Sequence, residues 1–103
     1  MTKVEFELMM PADFATVDAA AQNHILIDVA AEVRDEKGTS AAGVSQRIDA
    51  HLRASGLEQI QHHGLTYHNL FELAPGSYSV HFVVRDSLGD RVGSLVAPLT
   101  VAR

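Results

Sequence analysis

Six histidines are the most suggestive side chains in this sequence. His62 and His63 are adjacent and His68 follows closely, a spacing that invites a metal-binding reading through imidazole nitrogens. The geometry argues against it. Neighbouring residues on a helix point about 100° apart, so the pair cannot chelate from one face. His68 falls on the polar face of an alternating run with Thr66, Leu70 and Glu72, and His51 and His81 also fall on outward faces. A solvated surface is the leading reading. The alternative is a sandwich that binds a small ligand, a carbohydrate or a metal through the segment 62–68.

Catalytic groupings are equally thin. Asp35/Glu36 and Asp86/Asp90 flank turns, whereas acid–base catalysis needs two carboxyls in a cleft with their pKa values pushed apart. Turn acids are expected to be solvated. Serines stand at 40, 45, 55, 77, 79, 87 and 94, none in the G-x-S-x-G elbow that exposes a nucleophile. No G-x-x-x-x-G-K-[ST] or G-x-G-x-x-G loop offers a phosphate cradle. Asp86-Ser87-Leu88-Gly89-Asp90 is too short and too poor in ligands for a calcium loop of the EF-hand kind. With no Cys, disulfides, Cys-ligated zinc and thiol nucleophiles are excluded. The expectation is a protein that is not an enzyme, with no catalytic residue, metal or cofactor assigned.

The whole-chain numbers bound the partners. A length of 103 residues is one domain. Lys and Arg total 8 against 13 Asp and Glu, a net charge of −5, the wrong sign for a nucleic-acid face. At 47% hydrophobic and 20% charged the composition is that of an ordinary globular domain. No apolar stretch approaches the roughly 20 residues of a membrane span. Glu5 and Glu7 stand where a signal peptide would run apolar, which fits either a cytoplasmic protein or a domain excised from a longer exported chain.

The elements that would position these residues are strands. Period-two alternation, the mark of half-buried strands, runs through Val4–Leu8, Ile25–Arg34, Val44–Arg53, Leu65–Leu73 and Tyr78–Val84, and Val92–Val101 supplies a last apolar segment. Asn69 is the polar exception on the apolar face of the fourth run. Asp35-Glu36-Lys37-Gly38 and Asp86–Asp90 read as turns, and Pro75-Gly76 as a tight connection. Pro98 cannot donate to a ladder, so its strand belongs at an edge or carries a bulge. Ser55-Gly56-Leu57-Glu58 matches a capping box, with Gly64 placed for a left-handed C-terminal residue; together they predict a helix over about 55–63. Residues 10–23 read as a connection that includes a short strand near Phe14–Val17.

Six or seven short antiparallel strands in about 100 residues predict a mainly β, immunoglobulin-like sandwich with one short helix. Within Leu73–Val80, Pro75 and Gly76 precede Tyr78, placed to bond its hydroxyl back to the upstream backbone as a tyrosine corner. Leu26, Leu70 and Val83 are apolar among outward-facing polar neighbours. Clustered, they would mark a contact surface with another domain or subunit; scattered or covered by the helix, they are ordinary.

A family resemblance adds to this. Ile48–Leu52, His63-Gly64-Leu65-Thr66-Tyr67, Leu73–Val80, Val83-Val84-Arg85-Asp86 and Gly89-Asp90-Arg91-Val92-Gly93-Ser94 follow in that order, after the strand and turn Ile27–Gly38. Over residues 24–96 the chain resembles the C-terminal domain of bacterial von Willebrand factor A-related (VWA-related) proteins, of the kind common in acidobacteria. It departs from that pattern at Asp90, beside Arg91, and at His63, where Gln is usual. The D-x-S-x-S motif through which a VWA domain holds its metal does not occur here. The resemblance implies an accessory module cut from a longer chain and set at the cell envelope or secreted. It also implies protein contact or scaffolding as the role, with the VWA domain of the parent chain as a partner.

Overall fold

In the computed structural model, which describes residues 1–102, every alternating run is a β-strand. The order is β1 (Thr2–Met10), β2 (His24–Asp35), β3 (Ser40–His51), α1 (Ala54–His63), β4 (Leu65–Leu73), β5 (Gly76–Asp86) and β6 (Arg91–Val101). All pairings are antiparallel. β1 and β4 form a two-stranded sheet, which faces a four-stranded sheet of order β3-β2-β5-β6. The described residues therefore form a mainly β sandwich of six strands and one α-helix. Residues 14–17 form no strand. Phe14 closes a turn onto the Pro11 carbonyl at 3.0 Å, and between β1 and β2 the regular structure is a single 3-10 turn over Ala19–Ala21.

Alternation sends one face of each strand inward. Ile25, Ile27, Val29, Ala31 and Val33 of β2 are buried, as are Val80, Phe82 and Val84 of β5 and Tyr67, Phe71 and Leu73 of β4. Phe6 joins the two sheets. Its ring stacks on Phe71 at 5.0 Å and meets Phe82 edge-on at 5.4 Å, contacts of about 0.5–1.5 kcal/mol each beyond the area they bury. Asn69, the polar residue on the inner face of β4, donates from Nδ2 to the Tyr67 hydroxyl at 2.8 Å.

The small sheet is narrower than the large one, so cover runs out toward β6. Leu95 lies opposite Phe82 and thus on the inner face, yet it is 55% exposed. Pro98 sits opposite Ser79 on this edge strand, where a missing donor leaves no central ladder broken.

The capping box does not form. The helix starts one residue earlier than Ser55, and its N-cap is Arg53, which makes no side-chain cap bond. The cause lies upstream: Leu52 is fixed by donating from its amide to the Asn23 carbonyl at 3.1 Å and accepting from Asn23 Nδ2 at 3.3 Å. The chain therefore turns helical at Ala54, which leaves Ser55 inside the first turn, where it cannot serve as the cap. Glu58 is exposed and stands 3.9 Å from His62. Gly64 closes the helix with its amide on the Ile60 carbonyl at 2.8 Å. Its φ of 77° and ψ of −175° are not the left-handed helical pair expected, and the reason for glycine is different. A Cβ here would overlap the Met10 carbonyl oxygen at the end of β1.

Candidate interaction surface

The β5–β6 hairpin carries the most closely built polar group of the chain. Asp86 is fully buried, not a solvated turn acid as its position in the sequence predicts. Its Oδ2 accepts from the Thr16 hydroxyl at 2.6 Å and the Thr16 amide at 3.1 Å. Arg91, opposite Asp86 in the ladder, holds Nε 3.6 Å from the same oxygen. Its Nη2 donates to the Asp13 and Phe14 carbonyls at 2.8 and 2.7 Å, and its guanidinium lies 5.9 Å over the Phe14 ring. A Cβ on Gly89 would run into Asp86 and Thr16. The Val-Arg-Asp…Gly-Asp-Arg stretch is thus a structural clasp: it pins residues 13–16, which lead away from β1, against the turn end of the hairpin.

The histidines do not converge. His62 and His63 lie on the last turn of α1 with ring centroids 6.4 Å apart. His68 is on β4, with Nδ1 3.9 Å from Glu7 of β1. His24 and His51 form a separate cross-strand pair, stacked at 4.7 Å. There His24 Nε2 meets Asp49 at 2.6 Å and His51 Nδ1 meets the Ala21 carbonyl at 2.9 Å. Among the described residues, no three His, Cys, Asp or Glu side chains stand close enough to hold a metal ion.

Tyr78, half-buried near the start of β5, donates its hydroxyl to the Ala74 carbonyl at 2.6 Å. Pro75 and Gly76 form the intervening corner between the two sheets. The three apolar residues singled out as a contact surface do not form one patch. Leu70 is on the small sheet, while Leu26 and Val83 lie on the outer face of the large one, in different rows.

Val83 instead belongs to a patch the alternation hides. It pairs with Ser94, flanked on the same face by Val92 and Val96 of β6, and these two are 64% and 58% exposed. The available signal was the run Val92–Val101, which has no charged residue. Further along the outer face, small residues at Ala30, Gly43 and Ser45 leave a depression of about 460 Å³.

Charge on this face is organised by Asp28, which lies opposite Arg47 on β3 and Arg85 on β5. Arg47 donates Nε to Oδ1 at 2.8 Å and Nη2 to Oδ2 at 3.4 Å, and the Ser87 hydroxyl reaches Oδ2 at 3.2 Å. The hydrogen-bonded Arg47 guanidinium holds the Asp28 carboxyl below the ordinary carboxylate range, against an opposing desolvation, with Ser87 and the charge of Arg85 adding to the shift. Arg47 is raised in turn.

No helix is long and apolar enough to cross a membrane among the described residues. No protein-family model, no curated protein and no solved structure matches the chain.

Proposed function

We propose that this chain is a non-catalytic, immunoglobulin-like module that makes protein contacts, an accessory domain of a larger VWA-related protein at the cell envelope. The strand order supports the immunoglobulin-like part. In that fold strands B and E pair in one sheet and C, F and G in the other, with C′ added beside C in variable-type domains. Here β1 pairs with β4, and β3, β2, β5 and β6 lie side by side, which is B-E under C′-C-F-G. Tyr78 then falls near the start of F at the E–F corner, with its hydroxyl on upstream backbone, the position of the tyrosine corner.

The observation that carries the contact role is the apolar outer patch of Val83, Val92 and Val96 at a free sheet edge. The VWA-related setting is supported by the order of the motifs from Ile27 to Ser94. Calorimetric titration of this chain with the VWA domain encoded in the same open reading frame tests it. A saturable contact is expected; no heat at any concentration, or an open reading frame without such a domain, overturns the accessory role.

A further inference from the structure

β6 is as apolar as a central strand, yet it lies at an edge, one of the two places that Pro98 allows. Strands covered on both faces are near-continuous apolar runs, whereas half-solvated strands alternate. From Val92 to Val101 no side chain carries a charge. Val92 and Val96 stand opposite Arg85 and His81 on the outer face, and Leu95 opposite Phe82 on the inner one. All three are more than half exposed. The free edge thus presents unpaired backbone donors and acceptors between apolar side chains on both faces, the situation proteins avoid with charges where pairing is unwanted.

Other edges of the sandwich are protected in that way. β3, at the far side of the large sheet, carries Arg47 and Asp49, and its ladder with β2 is broken by an irregularity between Val33 and Arg34. Both strands of the small sheet carry charge, Lys3, Glu5 and Glu7 on β1 and Glu72 on β4, which discourages edge pairing. With a net charge of −5, two copies meet with least repulsion through the charge-free strand.

We infer that β6 pairs antiparallel with β6 of a second copy of this chain, joining two four-stranded sheets into one continuous sheet. The inference deepens the protein-contact reading, on which it rests, by naming one partner. A two-fold axis at Ser94 gives the register. Val92 then faces the partner subunit's Val96 on the outer side, Gly93 faces the partner subunit's Leu95 on the inner side, and Arg91 faces the partner subunit's Ala97. Pro98 falls outside this ladder, so its missing N–H breaks nothing. No like charges meet within the pair. The contact is isologous and closes at two chains, and the protected β3 edge stops further growth.

Sedimentation equilibrium from about 1 μM to 1 mM tests this on the whole chain. The mass is expected to rise from 11.1 kDa toward twice that value. V92K and V96E, at exposed positions that leave the circular dichroism spectrum unchanged, each raise the dimer Kd by about tenfold or more. The double variant V92K/V96E sets opposite charges across the two-fold and recovers most of the lost affinity. A monomer at every concentration overturns the pairing, as does a dimer indifferent to V92K and V96E or a double variant no better than the singles. Contact with the parent's VWA domain, titrated on the same samples, reports separately on the module reading.

Discussion

Asp86 and Arg91 face each other at the turn end of the β5–β6 hairpin, with Oδ2 3.6 Å from Nε, and together they hold the chain that leaves β1. Asp86 takes the amide and hydroxyl of Thr16, while Arg91 takes the carbonyls of Asp13 and Phe14. Two strands adjacent in sequence thereby fix a segment some 70 residues earlier. The clasp spans the end of the sandwich where β1 hands over to β2.

Removing the acid should therefore unfasten that end. Asp86→Ala empties a buried site and leaves both donors of the half-buried Thr16 unpaired, a loss of about 1–3 kcal/mol. Thr16→Val keeps the amide bond and loses only the hydroxyl bond, about 1 kcal/mol. Urea unfolding of the two variants checks the ranking. Equal midpoints for Asp86→Ala and the unsubstituted chain would show that the clasp bears no stability.

The helix ends give an opposed pair. Gly64→Ala sets a Cβ against the Met10 carbonyl at a positive φ and is expected to lower stability by more than about 1 kcal/mol. Ser55→Ala lies inside the first turn with no capping bond to lose, so its change stays within about 0.5 kcal/mol. Thermal melts of both variants decide it; a Ser55→Ala loss as large as that of Gly64→Ala would restore the capping box.

At the corner, Tyr78→Phe deletes one hydrogen bond to the Ala74 carbonyl and little packing. A loss of about 1 kcal/mol follows, visible as a lower melting temperature. An unchanged melt would make Tyr78 a packing residue alone.

Acid should act through Asp28. Its carboxyl is held below the ordinary range by Arg47, so the folded state binds its proton less readily than the unfolded chain does. That contribution is present in full above the unfolded value near about 4. It is lost as the pH falls through the folded value. Asp28→Asn removes it, so melting temperature plotted against pH is flatter below about pH 4 for the variant than for the unsubstituted chain. Parallel profiles would show that the Arg47 pair is not coupled to folding.

The strands were legible because alternation is a local signal: Ile25 to Val33 names its own buried face, and Asp35–Gly38 its own turn. Tyr78 was legible for the same reason, since the corner lies within a few residues of it. Asp86 was not, because its burial depends on Thr16, which nothing nearby in sequence announces. Ser55 misled because Asn23, far upstream, sets where the helix begins. Pro98 marked β6 for an edge or a bulge, but the exposed β6 surface stayed hidden, because how far the small sheet covers the large one depends on packing between distant strands.

Hydrogen exchange along β6 tests the pairing most directly. As concentration rises through the dimer range, the β6 amides that face away from β5 between Val92 and Ala97 should gain protection, while the edge amides of β3 exchange at a constant rate. Exchange at the β6 edge that is the same at every concentration would contradict the assignment of β6 as the contact strand.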